Sequence, residues 1–208
     1  LGDSHGALLG QGCFAPGTAK ATYGTGSSVM MQTGDACIES TGGLVTSLAW
    51  GLSGRVNYVL EGNLNYTGAV ISWLKKDVGL LRTDAESEQL ARQAHPGDRT
   101  YFVPAFTGLG APYWDSEATG LLTGITRTTG KAEIVRACLD SIAYQITDLL
   151  ECMGRDAALP LAELRVDGGP TANRYLMHRH SDLACQPLAL PAVQELSALG
   201  RRTSCPPG

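Results

Sequence analysis

Apolar and polar positions divide the chain into two regimes. From Thr18 to Thr33 the pattern is strand, glycine turn, strand: Thr18 to Tyr23, then Gly24-Thr25-Gly26, then Ser27 to Thr33. A second hairpin follows, with Leu44 to Leu52 and Val56 to Glu61 flanking Ser53-Gly54-Arg55. Short β-rich runs separated by polar turns predict antiparallel pairs. Beyond them the period lengthens. Ala69 to Leu81 carries Val70, Trp73, Leu74, Val78 and Leu81 at helical spacing. Thr83 and Glu86 form a capping-box signature that predicts a second helix over Asp84 to Ala94. Tyr101 to Phe106 reads as a short strand, and Thr107 to Asp115 as a Gly/Pro-rich loop. The clearest helix runs from about Lys131 to Met153, where Ile134, Cys138, Ile142, Ile146, Leu149, Leu150 and Met153 build one broad apolar face. Leu164 to Val166 predicts a strand ending in Asp167-Gly168-Gly169; Thr171 to Leu183 predicts a helix, and Pro187 to Leu190 another strand. A β-rich first third giving way to alternating helix and strand implies a mixed sheet flanked by helices, in the α/β class.

Composition narrows the setting. Lys+Arg 16 against Asp+Glu 20 gives a formal net charge of -4, without the basic stripe that nucleic acid requires. No apolar run reaches the roughly 20 residues of a membrane span. The first residues lack the basic and then apolar regions of a signal peptide. The expectation is a soluble, cytoplasmic protein that binds neither nucleic acid nor membrane. Six cysteines lie far apart with no C-x-x-C pair, so buried reduced thiols are expected. The 26 glycines recur inside apolar segments, where backbone must turn sharply or approach something closely.

Two strand-to-loop junctions share one chemistry. Gly24-Thr25-Gly26 sets a hydroxyl between two glycines at a hairpin tip, and bare amides with one hydroxyl suit phosphate oxygens. An ordinary hairpin turn reads the same way. Asp167-Gly168-Gly169-Pro170-Thr171-Ala172-Asn173 follows a strand and opens a helix, where exposed N–H groups and the helix dipole can hold an anion or nucleotide. Asp3 could take a proton from an attacking hydroxyl if it lay near such a site.

Three other patterns fail on their own chemistry. Gly2-Asp3-Ser4 echoes the nucleophile block of GDS-type hydrolases, but no Asp is followed by His at the spacing they need. Gly124 to Ala132 approaches a P-loop with one residue too many between its glycines and Ala132 in the Mg-binding position. His178 and His180 are two apart on a helix, point in different directions and have no Cys or Glu at ligand spacing; no metal site is assigned, and the segment reads as a solvated helix face.

Taken together, the segments GDSHGALLGQGC, ATYGTG, FVPAFTGLGAPYWD, GLLTGITRTTGKAEIVRACLDSIAYQ, VDGGPTANRYLMHRHSDLA and ELSALG resemble the C-terminal domain of the FGGY carbohydrate kinases, their glycerol kinase members above all. The resemblance runs from about Gly2 to Gly200. It implies an actin-like ATPase (ribonuclease H-like) domain over residues 1–200, nucleotide bound between two domains, and MgATP with a polyol or sugar giving ADP and a polyol phosphate. It further implies Asp3 as catalytic base and ligand of the substrate hydroxyl, with Ser4 beside it. Thr25 is implied as the phosphate-contacting threonine, and Gly68, Ser72, Gly169 and Asn173 as the remaining nucleotide contacts. Such kinases commonly form homo-oligomers, though no feature here fixes an interface.

The departures from that pattern carry information of their own. Ser4 stands where the glycerol kinases have a glutamine touching glycerol, Ser28 where an aromatic packs on the carbon chain, and Ser72 where a further glutamine lies near the nucleotide. Truncation on the substrate side implies an acceptor of about four or five carbons, with glycerol a poorer substrate, since each unfilled methylene forfeits about 1–3 kcal/mol. The family's first domain, with the other substrate ligands, is expected to be missing from this chain, and Arg201 to Gly208 is expected to be an aberrant or disordered tail. A stand-alone module that holds nucleotide or a partner without catalysis is the alternative.

Overall fold

The computed structural model describes residues 2–52 and 54–191; the ELSALG segment and the 201–208 tail lie outside the described residues. Six strands form one mixed sheet: β1 (Thr18–Tyr23), β2 (Ser27–Gly34), β3 (Val45–Leu52), β4 (Arg55–Leu64), β7 (Glu163–Asp167) and β8 (Leu188–Ala189), in the order β3-β4-β2-β1-β7-β8. The hairpins predicted by the short alternating runs are present: β1 with β2, and β3 with β4, are antiparallel, and β4 also pairs with β2. β7 joins β1 in parallel and β8 joins β7 in parallel. A separate two-stranded ribbon pairs β5 (Tyr101–Val103) with β6 (Leu121–Thr123).

Helix α4 (Lys131–Ala157) is the backbone of the core. Its N-terminus is closed by the Glu133 carboxylate, which accepts from the Gly130 and His95 amides at 2.9 Å each. It ends at Ala158 in the left-handed conformation, two residues before Pro160. Cys138, Ile142, Ile146, Leu149 and Met153 are fully or almost fully buried. They pack on one face of the sheet, where Ala19, Ala21, Tyr23, Val29, Met31, Leu60, Leu164 and Val166 alternate inward. Helices α2 (Gly68–Lys76), α3 (Asp84–Gln93) and α5 (Arg174–Ala184) join α4 on that side. Helix α1 (Asp3–Gly10) belongs to a smaller cluster, in which Leu8 packs with Cys13, Met30, Ala49 and Val59.

Several boundaries differ from those the sequence predicts. Helix α1 was not legible, because its eight residues are too few for a period to emerge. Helix α2 stops at Lys76 rather than Leu81, since Gly79 takes a positive φ of 73° and the chain turns back. In α3 the Thr83 side chain accepts from the Glu86 amide as expected, but the Glu86 carboxylate accepts from Arg82 N–H (2.7 Å) instead of completing the box. The helix expected from Thr171 begins at Arg174, after a short 3-10 turn over Gly169–Ala172. Strand β6 was missed inside a glycine- and threonine-rich stretch. Among the described cysteines all five are free, but Cys37 and Cys185 are exposed rather than buried.

The His178-Arg179-His180 face is a further correction. His180 is fully buried and bonded through Nδ1 to the Tyr23 hydroxyl. Arg179 donates to Tyr144 Oη (2.8 Å) and lies over its ring. Only His178 is exposed. Burial pushes the His180 imidazole down from 6.5 to about 4, so the native state holds it neutral where the unfolded chain would bind a proton.

Two predictions follow from this packing. Ile142→Ala, which empties a fully buried site at the centre of α4, should cost about 2–5 kcal/mol in urea denaturation. A depressed histidine pKa stabilises the fold above about pH 6.5 and gives that stabilisation up as pH falls toward about 4, by roughly 3 kcal/mol in all. Denaturation at about pH 7.5 and 4.5 should therefore differ less in His180→Gln than in the wild type.

Candidate functional site

The tip of the β1–β2 hairpin divides two cavities. Its backbone is fixed by the start of α2: Thr67 and Ala69 N–H donate to the Thr25 carbonyl (2.9 and 3.0 Å), and Gly68 N–H donates to the Gly24 carbonyl (2.9 Å). A Cβ on Gly68 would stand 2.7 Å from that carbonyl, so no larger residue fits without displacing the tip. Beneath it, Ser27 Oγ and Thr67 Oγ1 are hydrogen-bonded at 2.7 Å in a buried position.

On one side lies a cleft of about 740 Å³. Its walls are the hairpin tip, α2 along its length, the N-terminal half of α3, and the turn from β7 into α5. Thr25, Gly68, Ser72, Gly169 and Asn173, which come from three separate stretches of chain, all line it. The β7–α5 turn is shaped by Gly168, whose φ is 101° and whose Cβ would fall 1.9 Å from the Tyr23 carbonyl oxygen. That close approach seats the turn directly on the hairpin. A Cβ on Gly169, by contrast, would meet nothing within 4 Å, so its backbone opens onto the cleft.

Asn173 is held by its own hydrogen bonds. Its Oδ1 accepts from Leu176 N–H (3.0 Å), capping α5. Its Nδ2 donates to Ser87 Oγ (3.0 Å), and Ser87 in turn donates to the Asp84 carbonyl (2.5 Å). Ser87, fully buried, thus ties the start of α5 to the start of α3 across the cleft floor. At the mouth, Lys75 pairs with Asp84 at 2.5 Å. Sequence reasoning missed Ser87, which sits in a charged, surface-like stretch and becomes a cleft residue only through the packing of α3 on α5.

On the other side of the tip is a smaller cavity of about 330 Å³, which shares Gly24 with the first. Asp3 and Ser4, at the start of α1, line it together with Ser28 and Asn63. The seven residues singled out from the sequence therefore divide between the two cavities, five in one and two in the other. Asp3 is exposed, in the first turn of α1.

The smaller cavity also contains a residue that the sequence reading passed over. Lys20 occupies a polar-face position of β1 and is fully buried. Its Nζ donates to Thr22 Oγ1 (3.2 Å) and Ser28 Oγ (3.1 Å), both of which line the same cavity. Burial lowers its pKa from 10.5 to about 8, against the opposing pull of the Asp167 and Glu61 carboxylates. In the sequence it is an ordinary lysine between the polar Thr18 and Thr22 positions of a strand, and only its burial marks it, since lysine is almost never fully buried without a partner.

Among the described residues no group of three or more His, Cys, Asp or Glu could hold a metal ion, and no helix is long and apolar enough to cross a membrane.

Comparison with known proteins identifies the fold and the family. The chain is 48% identical over 199 residues to "Glycerol kinase 2" of Thermotoga maritima and 48% identical over 199 residues to "Glycerol kinase" of Symbiobacterium thermophilum. In each case the match covers 96% of this chain and 40% of the relative, so the chain spans well under half the length of these relatives. The Plasmodium falciparum glycerol kinase crystallised with ADP superposes with a TM-score of 0.91 at 34% identity, over 96% of this chain and 40% of that one. The mixed sheet and its flanking helices are those of the sugar kinases of the actin-like ATPase fold. Residues 19–201 match the FGGY family of carbohydrate kinases, C-terminal domain, and the chain belongs to that family.

Proposed function

We propose that this chain is the nucleotide-holding half of an ATP-dependent kinase that phosphorylates a hydroxyl of a small polyol or sugar. The observation that carries the reading is the division of residues about one hairpin tip. Thr25, Gly68, Ser72, Gly169 and Asn173 converge on the larger cleft, while Asp3 and Ser4 converge on the smaller cavity behind the shared Gly24. Donor and acceptor sites separated by one turn of backbone are what phosphoryl transfer between two bound molecules requires.

In this reading the residues act as follows. Asn173 and Gly169 hold the nucleoside end, and Gly68 and Ser72 flank it along α2. Thr25 presents a hydroxyl at the tip toward the phosphates. The acceptor hydroxyl lies against Asp3, whose carboxylate takes its proton as the oxygen bonds to the γ-phosphorus and the bond from that phosphorus to the β–γ bridging oxygen breaks, releasing ADP. The larger cleft offers a nucleotide both kinds of surface: its floor is open at Gly169, glycine backbone and the Thr25 and Ser72 hydroxyls suit polar groups, and Ile71, Trp73 and Pro170 give it apolar walls. Mg²⁺ would enter with the nucleotide, offsetting charge on its phosphates, because it is held mainly by substrate phosphates with one or two carboxylates rather than by a protein cage.

A complementary domain is needed to close both cavities. This assigns residues 1–200 to the nucleotide domain of a larger cytoplasmic enzyme, with the N-terminal substrate domain as its partner. A homo-oligomer of the whole is compatible with this assignment.

Calorimetric titration with Mg-ADP should show binding to this chain. Asn173→Ala should weaken it about tenfold or more, with circular dichroism checking that loss of the α5 cap has not unfolded the helix. Asp3→Asn should leave Mg-ADP affinity unchanged, since Asp3 lines the other cavity. No Mg-ADP binding by a folded wild type would overturn the reading. A coupled assay with ATP and polyols should find turnover by this chain alone near background, because one wall cannot position both reactants.

A further inference from the structure

A hydrogen-bond chain runs along the floor of the larger cleft, and its middle member has no role in the chemistry proposed above. Ser87, at the end of the first turn of α3, is fully buried. Its hydroxyl donates to the Asp84 carbonyl three residues back, a local bond that would satisfy it by itself. It nevertheless accepts a second bond, from Asn173 Nδ2 at 3.0 Å, between residues 86 apart in the chain. With its hydrogen committed to Asp84, Ser87 can only accept from its other neighbour, so the nitrogen of the Asn173 amide must face it. On the far side Leu176 N–H can only donate, so the amide oxygen must face α5. Both neighbours demand the same orientation. Two bonds to the two ends of a planar group also fix its plane.

We propose that Ser87 is a positioning residue of the nucleotide cleft. It sets the plane of the Asn173 carboxamide, so that the second N–H and second lone pair of that amide are held for the nucleoside end of the ligand. This deepens the reading of the larger cleft as the nucleotide site and rests on it.

Three observations support the assignment. First, Asn173 and Ser87 both line the cleft, and among the described residues Ser87 and Leu176 are the hydrogen-bond partners of that amide side chain. One N–H and one lone pair are left over, a donor beside an acceptor. Ribose hydroxyls and base edges can meet both, whereas an ionised phosphate offers acceptors only. Second, the charges nearby disfavour phosphate at this end. Asp84 and Glu88 of α3 line the same stretch of cleft, and Glu88 Oε2 accepts from the Arg174 amide at 2.9 Å. The first amide of α5 is therefore taken by a carboxylate and the Leu176 amide by Asn173, so an anion finds neither free. Third, the support behind Ser87 is firm. Its helix is capped by Thr83 and tied to α4 through the Glu86–Lys131 pair at 2.9 Å, so the serine is presented by a fixed element rather than a loop.

The test is a double-mutant cycle on the 208-residue chain, read by calorimetric titration with Mg-ADP. Ser87→Ala should weaken binding about fivefold in the wild type. In Asn173→Ala the same change should matter by no more than about twofold, because the group it positions is gone. Side-chain amide NMR supplies the second readout. The two Asn173 Nδ2 proton signals should be distinct in the wild type and shift with Mg-ADP, and in Ser87→Ala they should move toward the values of a freely exposed asparagine. Ser87→Cys, which keeps the volume but offers a weak acceptor, should behave alike and decides the matter if Ser87→Ala does not fold. Wild-type affinity in the Ser87 variants, or losses that multiply in full in the double mutant, would mark Ser87 as merely structural and overturn the proposal. Asn173 signals that ignore the Ser87 change would do the same. Full Mg-ADP affinity in Asn173→Ala, or no binding by the folded wild type, would instead overturn the nucleotide reading itself and this inference with it.

Discussion

The backbone contact between the β1–β2 tip and the start of α2 is the constraint on which the rest of the structure depends. Three amides of Thr67, Gly68 and Ala69 are spent on two carbonyls of Gly24 and Thr25. The first turn of a helix ordinarily has amides to offer an anion. Here those amides are internal fastenings, and what they fasten is the tip itself. Gly68 permits the approach, and the Ser27–Thr67 hydroxyl pair locks it from below. Because the tip is the partition between the cleft and the cavity, its position fixes both.

A second fastening lies at the opposite wall. Gly168 brings the β7–α5 turn onto the Tyr23 carbonyl, and the Tyr23 hydroxyl reaches His180 in α5. The hairpin is thus joined to α5 at two points and to α2 at a third. All three helices along the cleft pack against α4, whose apolar face fills the space under the sheet. The chain places its charges accordingly. Asp3 and the Lys75–Asp84 pair lie at exposed rims, while Lys20 is buried behind the tip with two hydroxyls for company.

Much of the fold was legible in the sequence because it rests on local periods. The four strands of the two hairpins are short β-rich runs set off by polar turns, and α4 repeats its apolar positions for more than six turns. Where the reading failed, a long-range contact or a very short element was decisive. Helix α1 is too short to show a period, and β6 acquires its identity only by pairing with β5. His180 looks like one of a polar trio until Tyr23 is brought to it from across the chain. The candidate site was legible in its glycines and in the turn before Asn173, while Asp3 took its role from the family resemblance. Ser87 and Lys20 were not, since a serine in a charged helix and a lysine in a strand are ordinary on the page and become distinctive only when both are found buried.

That the cleft and the cavity share Gly24 has a thermodynamic consequence. One piece of backbone cannot take two positions at once, so a ligand that favours a particular placement of the tip on one side alters the free energy of binding on the other. Linkage makes that effect mutual: whatever factor the first ligand imposes on the second, the second returns to the first. A partition one residue thick therefore makes any displacement of the tip on one side a displacement on the other.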